Sequence, residues 1–171
     1  MILYPPVKFD ANECFIFLAI AANLLLIFLL PRRFSLLTLT GIWLFNIFLA
    51  QSTDFIIGKP PLELYRFNDL KEYEYFDVLL YLLVYPPVAY FFLYFYDHRR
   101  WTGNRLRFYL IASAFITSVL ERLAVQFHVF TYIHWNLLYS YLVYLLVFAL
   151  NIRLLNFLRR FLPVNRNYSP K

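Results

Sequence analysis

At 171 residues, 62% hydrophobic, 22% aromatic and only 15% charged, the chain carries more apolar surface than a water-soluble fold of its size can bury, because soluble domains run at roughly one-quarter charged. Its formal charge of +6 does not point to nucleic acid, since most basic residues lie within a few positions of the ends of apolar runs. The one cysteine, Cys14, excludes an internal disulfide and a multi-thiolate metal site.

Five apolar runs follow one another, at 14–30, 34–57, 76–96, 108–130 and 137–158. Each is near the ~20 residues that a helix needs to cross the ~30 Å hydrocarbon core of a bilayer. The first run is read as a retained span and not as a cleaved signal. Its leading segment sets Lys8 against Asp10 and Glu13, where a signal peptide needs a positive region. On the second run Trp43, Asn46, Ala50, Thr53 and Asp54 recur at spacings of three and four and so share one face. The loop over 58–75 holds Pro60, Pro61 and then Leu64-Tyr65-Arg66-Phe67, read as a short helix on the membrane interface.

Pro86 and Pro87 interrupt the third run. They remove two backbone donors and crowd the carbonyls one turn earlier, which predicts a kink whose freed groups are satisfied by neighbouring helices or by water, and which either widens a cavity or steers the helix. The fourth run carries Thr117, Ser118 and Glu121 on one stripe, with His128 two turns on, and sets Arg122 beside Glu121. His134-Trp135-Asn136 then reads as an interfacial turn, with Asn136 capping the fifth helix. The expected fold is all-α, a single domain over 1–171 forming a polytopic bundle of five transmembrane helices.

Orientation follows from the short loops, because lysine and arginine are retained on the cytoplasmic side. Arg32, Arg33, Arg99, Arg100, Arg105, Arg107, Arg153, Arg159, Arg160, Arg166 and Lys171 fall on one side, and only Lys8, Lys59, Arg66 and Lys71 on the other. The N-terminus is therefore expected outside and the C-terminus inside. Asp10, Glu13, Asp54, Glu63, Asp69, Glu72, Glu74 and Asp77 gather at the outer side, while Asp97 alone maps to the inner.

Glu121 and Arg122 are the costliest residues in the spans, since an ionised side chain at mid-bilayer costs from ~3 kcal/mol upward. With the run starting at 108, Arg122 falls ~20 Å from the inner boundary and ~12 Å below the outer one. Adjacent helix positions point about 100° apart, so each of the two is expected to seek its partner on another helix. Asp54 and Asp77 are the candidates for Arg122. Glu121, Arg122, Asp54, Asp77, Asn46 and His128 form the candidate buried polar site. A metal is not expected, because Glu121 and His128 stand about 10 Å apart along the axis and no histidine pair at i, i+4 exists.

Signatures of catalysis are missing: three glycines in the whole chain build no phosphate-cradling loop, and no nucleophile-elbow or zincin motif occurs. Neither a catalytic residue nor a cofactor is assigned. From Leu64 onward the chain offers Leu64-Tyr65-Arg66-Phe67, Val84-Tyr85-Pro86-Pro87-Val88 with Phe92-Leu93, Leu120-Glu121-Arg122, Tyr132-Ile133-His134-Trp135-Asn136 and Asn151-Ile152-Arg153-Leu154. In these stretches it resembles an uncharacterised family of small multi-pass membrane proteins of endospore-forming bacteria, departing from it at His134. The resemblance covers roughly 60% of the chain and implies the cytoplasmic membrane of a bacterium, or a spore membrane, with no established activity.

Three roles fit these features. The first is a non-enzymatic accessory or assembly component whose partners are the bilayer and either another membrane protein or further copies of itself. The second is a small channel, transporter or solute-binding unit with an outward-facing charged cavity. The third is a membrane enzyme acting on a lipid or wall precursor through paired outer acids such as Glu72 and Glu74, or Asp77 with Glu121.

Overall fold

The computed structural model describes residues 3–68 and 73–162. Asp69, Lys71, Glu72, Arg166 and Lys171, counted in the orientation argument, lie outside the described residues. Six helices and two short strands follow in order: α1 (Ala11–Leu29), α2 (Leu36–Ile57), β1 (Tyr65–Phe67), α3 (Tyr75–Leu83), α4 (Tyr85–Arg99), α5 (Gly103–Gln126), β2 (Phe130–Tyr132) and α6 (Leu137–Phe161). With α3 and α4 taken as one interrupted span, five helices are long and apolar enough to cross a membrane. The fold is the five-span helical bundle that the apolar runs specify.

Helix ends follow from local capping. The first helix starts three residues earlier than its apolar run because Asp10 and Glu13 form a capping box, with the Glu13 carboxylate accepting the Asp10 N–H at 2.8 Å. The Ser35 hydroxyl caps α2, and the Asn136 side chain caps α6 by accepting the Tyr139 N–H at 3.1 Å. At the end of α5, Val129 N–H bonds Ala124 C=O, His128 N–H bonds Val125 C=O, and His128 takes a positive φ of 59°. That is the Schellman arrangement with its left-handed residue at His128. The fourth span accordingly runs from 103 to 126 and not from 108 to 130.

Pro86 and Pro87 break the third span at Val84. A proline at position i withholds the N–H that would bond the carbonyl of i−4, so Leu82 and Leu83 lose their partners. Each is supplied from a different helix: Trp43 Nε1 on α2 donates to Leu82 O at 3.1 Å, and Asn23 Nδ2 on α1 donates to Leu83 O at 3.2 Å. The break is thereby turned into two interhelical ties.

The segment 65–67 is a strand and not an interfacial helix. It pairs antiparallel with β2, Tyr65 opposite Tyr132 and Phe67 opposite Phe130. Aromatic side chains crowd the pair, with the Phe67 and Phe130 rings 5.2 Å apart and Tyr65 against Trp135 at 5.6 Å. Packing of this kind favours extended backbone over helix. Gly58, closing α2, leaves room for it: a side chain there would sit 2.8 Å from Asp54 O and against the Tyr65 and Phe67 rings.

One apolar cluster fills the end of the bundle that carries the basic loops, around Ile42, Leu93, Ala114, Phe148 and Leu155. At that end Asp97 on α4 accepts from Arg33 Nε at 2.6 Å and also pairs with Arg159 of α6, tying the α1–α2 connection to two helices. A second cluster, around Ile16, Phe76, Leu80, Ala124 and Val129, lies at the hairpin end. Between α2 and α6 the approach is close, since a Cβ on Gly41 would stand 3.1 Å from Leu158 Cδ1.

Candidate functional site

Above the close α2–α6 approach, Asn46 and Asn151 exchange two hydrogen bonds, at 2.8 and 2.9 Å, and each amide also bonds a carbonyl of its own helix. Both residues are buried. This pair lies at the edge of a chamber of about 530 Å³ lined by α1, α2, the α3–α4 span, α5, α6 and the hairpin. Its walls are mainly Leu, Val, Ala, Ile and Phe, and no Lys, Arg or His is among the described residues lining it.

The polar groups concentrate under the hairpin. Glu121 receives three hydroxyls: Tyr132 and Ser140 on Oε1, the latter at 2.6 Å, and Tyr144 on Oε2. Trp135 Nε1 also donates to Ser140 Oγ at 2.8 Å, so the serine hydroxyl links the indole to Glu121. Asp54 takes the Tyr65 hydroxyl on Oδ1, and the Tyr81 hydroxyl stands beside the same carboxyl as a second donor. Burial first, and then the neighbouring carboxylates, push the Tyr65 and Tyr132 hydroxyls above the ordinary tyrosine range. Both keep their protons and act as donors, leaving the carboxyl oxygens as acceptors.

Three of the six expected site residues, Asn46, Asp54 and Glu121, line this chamber. The other three do not. Asp77 is buried beside it, engaged in the capping box of α3, where it accepts the Glu74 N–H at 3.0 Å and the Asn68 amide at 2.7 Å. His128 is exposed, because α5 ends at Gln126 and the helical periodicity that aligned His128 with Glu121 stops before reaching it. Arg122 is exposed and makes no salt bridge among the described residues, so the expected pairing with Asp54 or Asp77 is not formed. Four residues separate it from the end of α5, about 6 Å of rise, and a side chain of its length spans that to the interface.

Comparison with family models, with curated proteins and with solved structures gave no match. Tyr65, Tyr132, Trp135, Ser140, Tyr144 and Asn151 belong to the site beyond the six residues expected there. Ser140, Tyr144 and Asn151 recur at spacings of four and seven on α6, a polar stripe that points at the α2 stripe containing Asn46. Tyr65 and Tyr132 come together only through the hairpin register, for which no local sequence signal exists.

The opening of the chamber lies to the side. Around it, neighbours pack in the order α1, the α3–α4 span, α2, α6, α5. Where α1 returns to α5, contact is made near the hairpin by the stacked rings of Phe15 and Phe127, 5.0 Å apart. Deeper along the same junction Leu18 and Leu26 of α1 and Leu120 and Leu123 of α5 line the chamber yet stay exposed, Leu18 to 68% and Leu120 to 50%. The hairpin residues Tyr65, Phe67, Phe130 and Tyr132 line one end of the chamber.

Proposed function

We propose that this protein is a membrane-embedded binding unit that takes up an amphiphilic molecule from the surrounding lipid, with its apolar part along the chamber wall and its polar head beneath the β1–β2 hairpin. The supporting observation is the chamber itself: about 530 Å³, apolar on its walls and polar at one end, with exposed leucines at the α1–α5 junction. Pockets of roughly 300–1,000 Å³ with apolar walls and a few convergent polar groups are typical of small-molecule sites. A lateral opening suits a ligand that partitions into the bilayer.

The reading makes the protein a non-enzymatic component of a bacterial cytoplasmic or spore membrane, with the hairpin end outward as the distribution of basic residues suggests. Glu121 is held in place by three hydroxyl donors from β2 and α6. The test is gentle extraction into lipid nanodiscs followed by native mass spectrometry. One amphiphile per chain is expected, lost from Ala22→Phe, which puts a ring into the chamber from α1, while helix content and melting are preserved. Equal occupancy in the filled variant, or an empty wild-type chain that binds no added amphiphile, would refute the reading.

A further inference from the structure

Five tyrosine side chains gather near the polar end of the chamber, and the chain accounts for four of their hydroxyls. Tyr65 donates to Asp54 and Tyr81 stands beside the same carboxyl, while Tyr132 and Tyr144 donate to Glu121. The fifth is Tyr85, which lines the chamber in the neighbourhood of Asp54, Tyr65, Tyr81 and Tyr144. Its hydroxyl bonds no group among the described residues, and unlike the Tyr81 oxygen it is not sealed inside the protein.

The ring is placed by other means. Tyr85 opens α4 directly after the break at Val84. It packs on the cluster around Ile16, Leu80 and Ala124, with its ring 5.8 Å from that of Tyr81. A phenylalanine would pack there equally well, whereas the phenol presents an O–H to a space with apolar walls. Such a group is stable when a partner arrives to bond it. The acceptors nearby are already supplied: Glu121 holds three hydroxyl donors, and Asp54 lies between two tyrosines. The free hydroxyl is therefore a donor in search of an acceptor, and the chamber is where one can enter.

Resting on the amphiphile-binding reading, we propose that Tyr85 is the residue that grips the ligand head, its hydroxyl donating to the carbonyl oxygen of an uncharged head such as a ketone or an ester. A carboxylate or phosphate head meets Asp54 and Glu121, with no Lys, Arg or His among the described lining residues. An ammonium head needs a carboxyl oxygen, and reaching one means displacing a tyrosine or serine hydroxyl. A carbonyl asks for one donor and brings no proton that requires an acceptor.

The experiment is titration calorimetry of the full chain in a neutral maltoside detergent near pH 7, with 2-dodecanone, dodecane, dodecylamine and dodecanoate as probes of equal chain length. The ketone is expected to saturate at one site per chain, about fivefold or more tighter than dodecane, as one neutral hydrogen bond provides. It should also bind more tightly than either charged probe, and its C=O stretch should fall to lower wavenumber in infrared difference spectra. Tyr85→Phe should keep helix content and melting, because the hydroxyl bonds nothing in the chain. The same change should bring the ketone to within about twofold of dodecane, leave dodecane unchanged and abolish the carbonyl shift. Dodecane equal to the ketone, a charged probe the tightest of the four, or a ketone that binds Tyr85→Phe as well as the unaltered chain overturns the role of Tyr85 and leaves the amphiphile reading standing. A Tyr85→Phe chain that loses its fold overturns it too, because the hydroxyl would then have a partner inside the protein. Failure of all four probes to saturate overturns both.

Discussion

If the α3–α4 break is held by donors from two other helices, those donors should matter only while the prolines are present. Asn23 Nδ2 lies 3.2 Å from Leu83 O, the carbonyl that Pro87 deprives of its helical partner. Asn23→Leu removes the donor at nearly constant volume. Interhelical hydrogen bonds inside membranes average about 0.6 kcal/mol and reach about 1.7. Because Leu83 O has no alternative partner, the cost should sit in the upper half of that range, about 1 kcal/mol or a fivefold change in the unfolding equilibrium. In Pro87→Ala the alanine N–H can bond Leu83 O, and Asn23→Leu made in that background should cost almost nothing. Both single variants and the double, unfolded reversibly in mixed micelles, define a cycle with a coupling near 1 kcal/mol. The same cycle on Trp43→Phe with Pro86→Ala should give a coupling of the same sign through Leu82 O. Additive costs in both cycles would show that the ties do not hold the break.

Arg122→Leu should change stability by less than about 0.5 kcal/mol, since Arg122 is exposed and without an ion-pair partner among the described residues. Arg122→Asp combined with Asp54→Arg should be no more stable than the worse single variant; recovery in the double would reinstate the pairing. His128→Gly should stabilise the protein by roughly 0.5–1 kcal/mol, because His128 occupies the left-handed position of the α5 cap, where a Cβ costs about 1–2 kcal/mol and glycine returns part of the gain to the unfolded chain. Loss of stability on that change, in the same unfolding assay, would mean that the imidazole makes contacts beyond the cap. At alkaline pH, Tyr65 and Tyr132 hold their protons above the ordinary tyrosine value, so their contribution is complete below about pH 10 and is lost as pH rises beyond it. Tyr65→Phe and Tyr132→Phe should each flatten that loss when helix content is followed through the titration; an unchanged slope in both would exclude these hydroxyls as its source.

Those outcomes separate what periodicity reveals from what it cannot. The five spans were legible because span length is dictated by bilayer thickness and apolar composition, neither of which depends on tertiary context. So was the proline break, since a missing N–H is a property of the residue itself. The helix stripes were legible as well: Asn46 and Asp54 on α2 and Glu121 on α5 all face the chamber as their spacing predicts. Reading failed where a helix ended sooner than its apolar run. The Schellman turn at His128 takes effect two residues after Gln126, and Val125, Phe127, Val129 and Phe130 continue the apolar character across it. Hydropathy passes smoothly from helix through turn to strand, so His128 was assigned to a face that no longer exists.

Arg122 illustrates the converse error of depth. Placing the end of the fourth span at 130 put Arg122 ~12 Å below the outer boundary, where an interhelical partner is required. The helix ends at Gln126, which leaves Arg122 one turn from its end and within reach of the headgroups, and that requirement disappears. Glu121, at the same depth, has a side chain too short to escape and points inward. It receives hydroxyls from β2 and from two positions on α6, the elements that follow it in the chain. Two adjacent ionisable residues thus meet the same membrane cost by opposite routes, one by reaching out of the lipid and one by recruiting donors inside it.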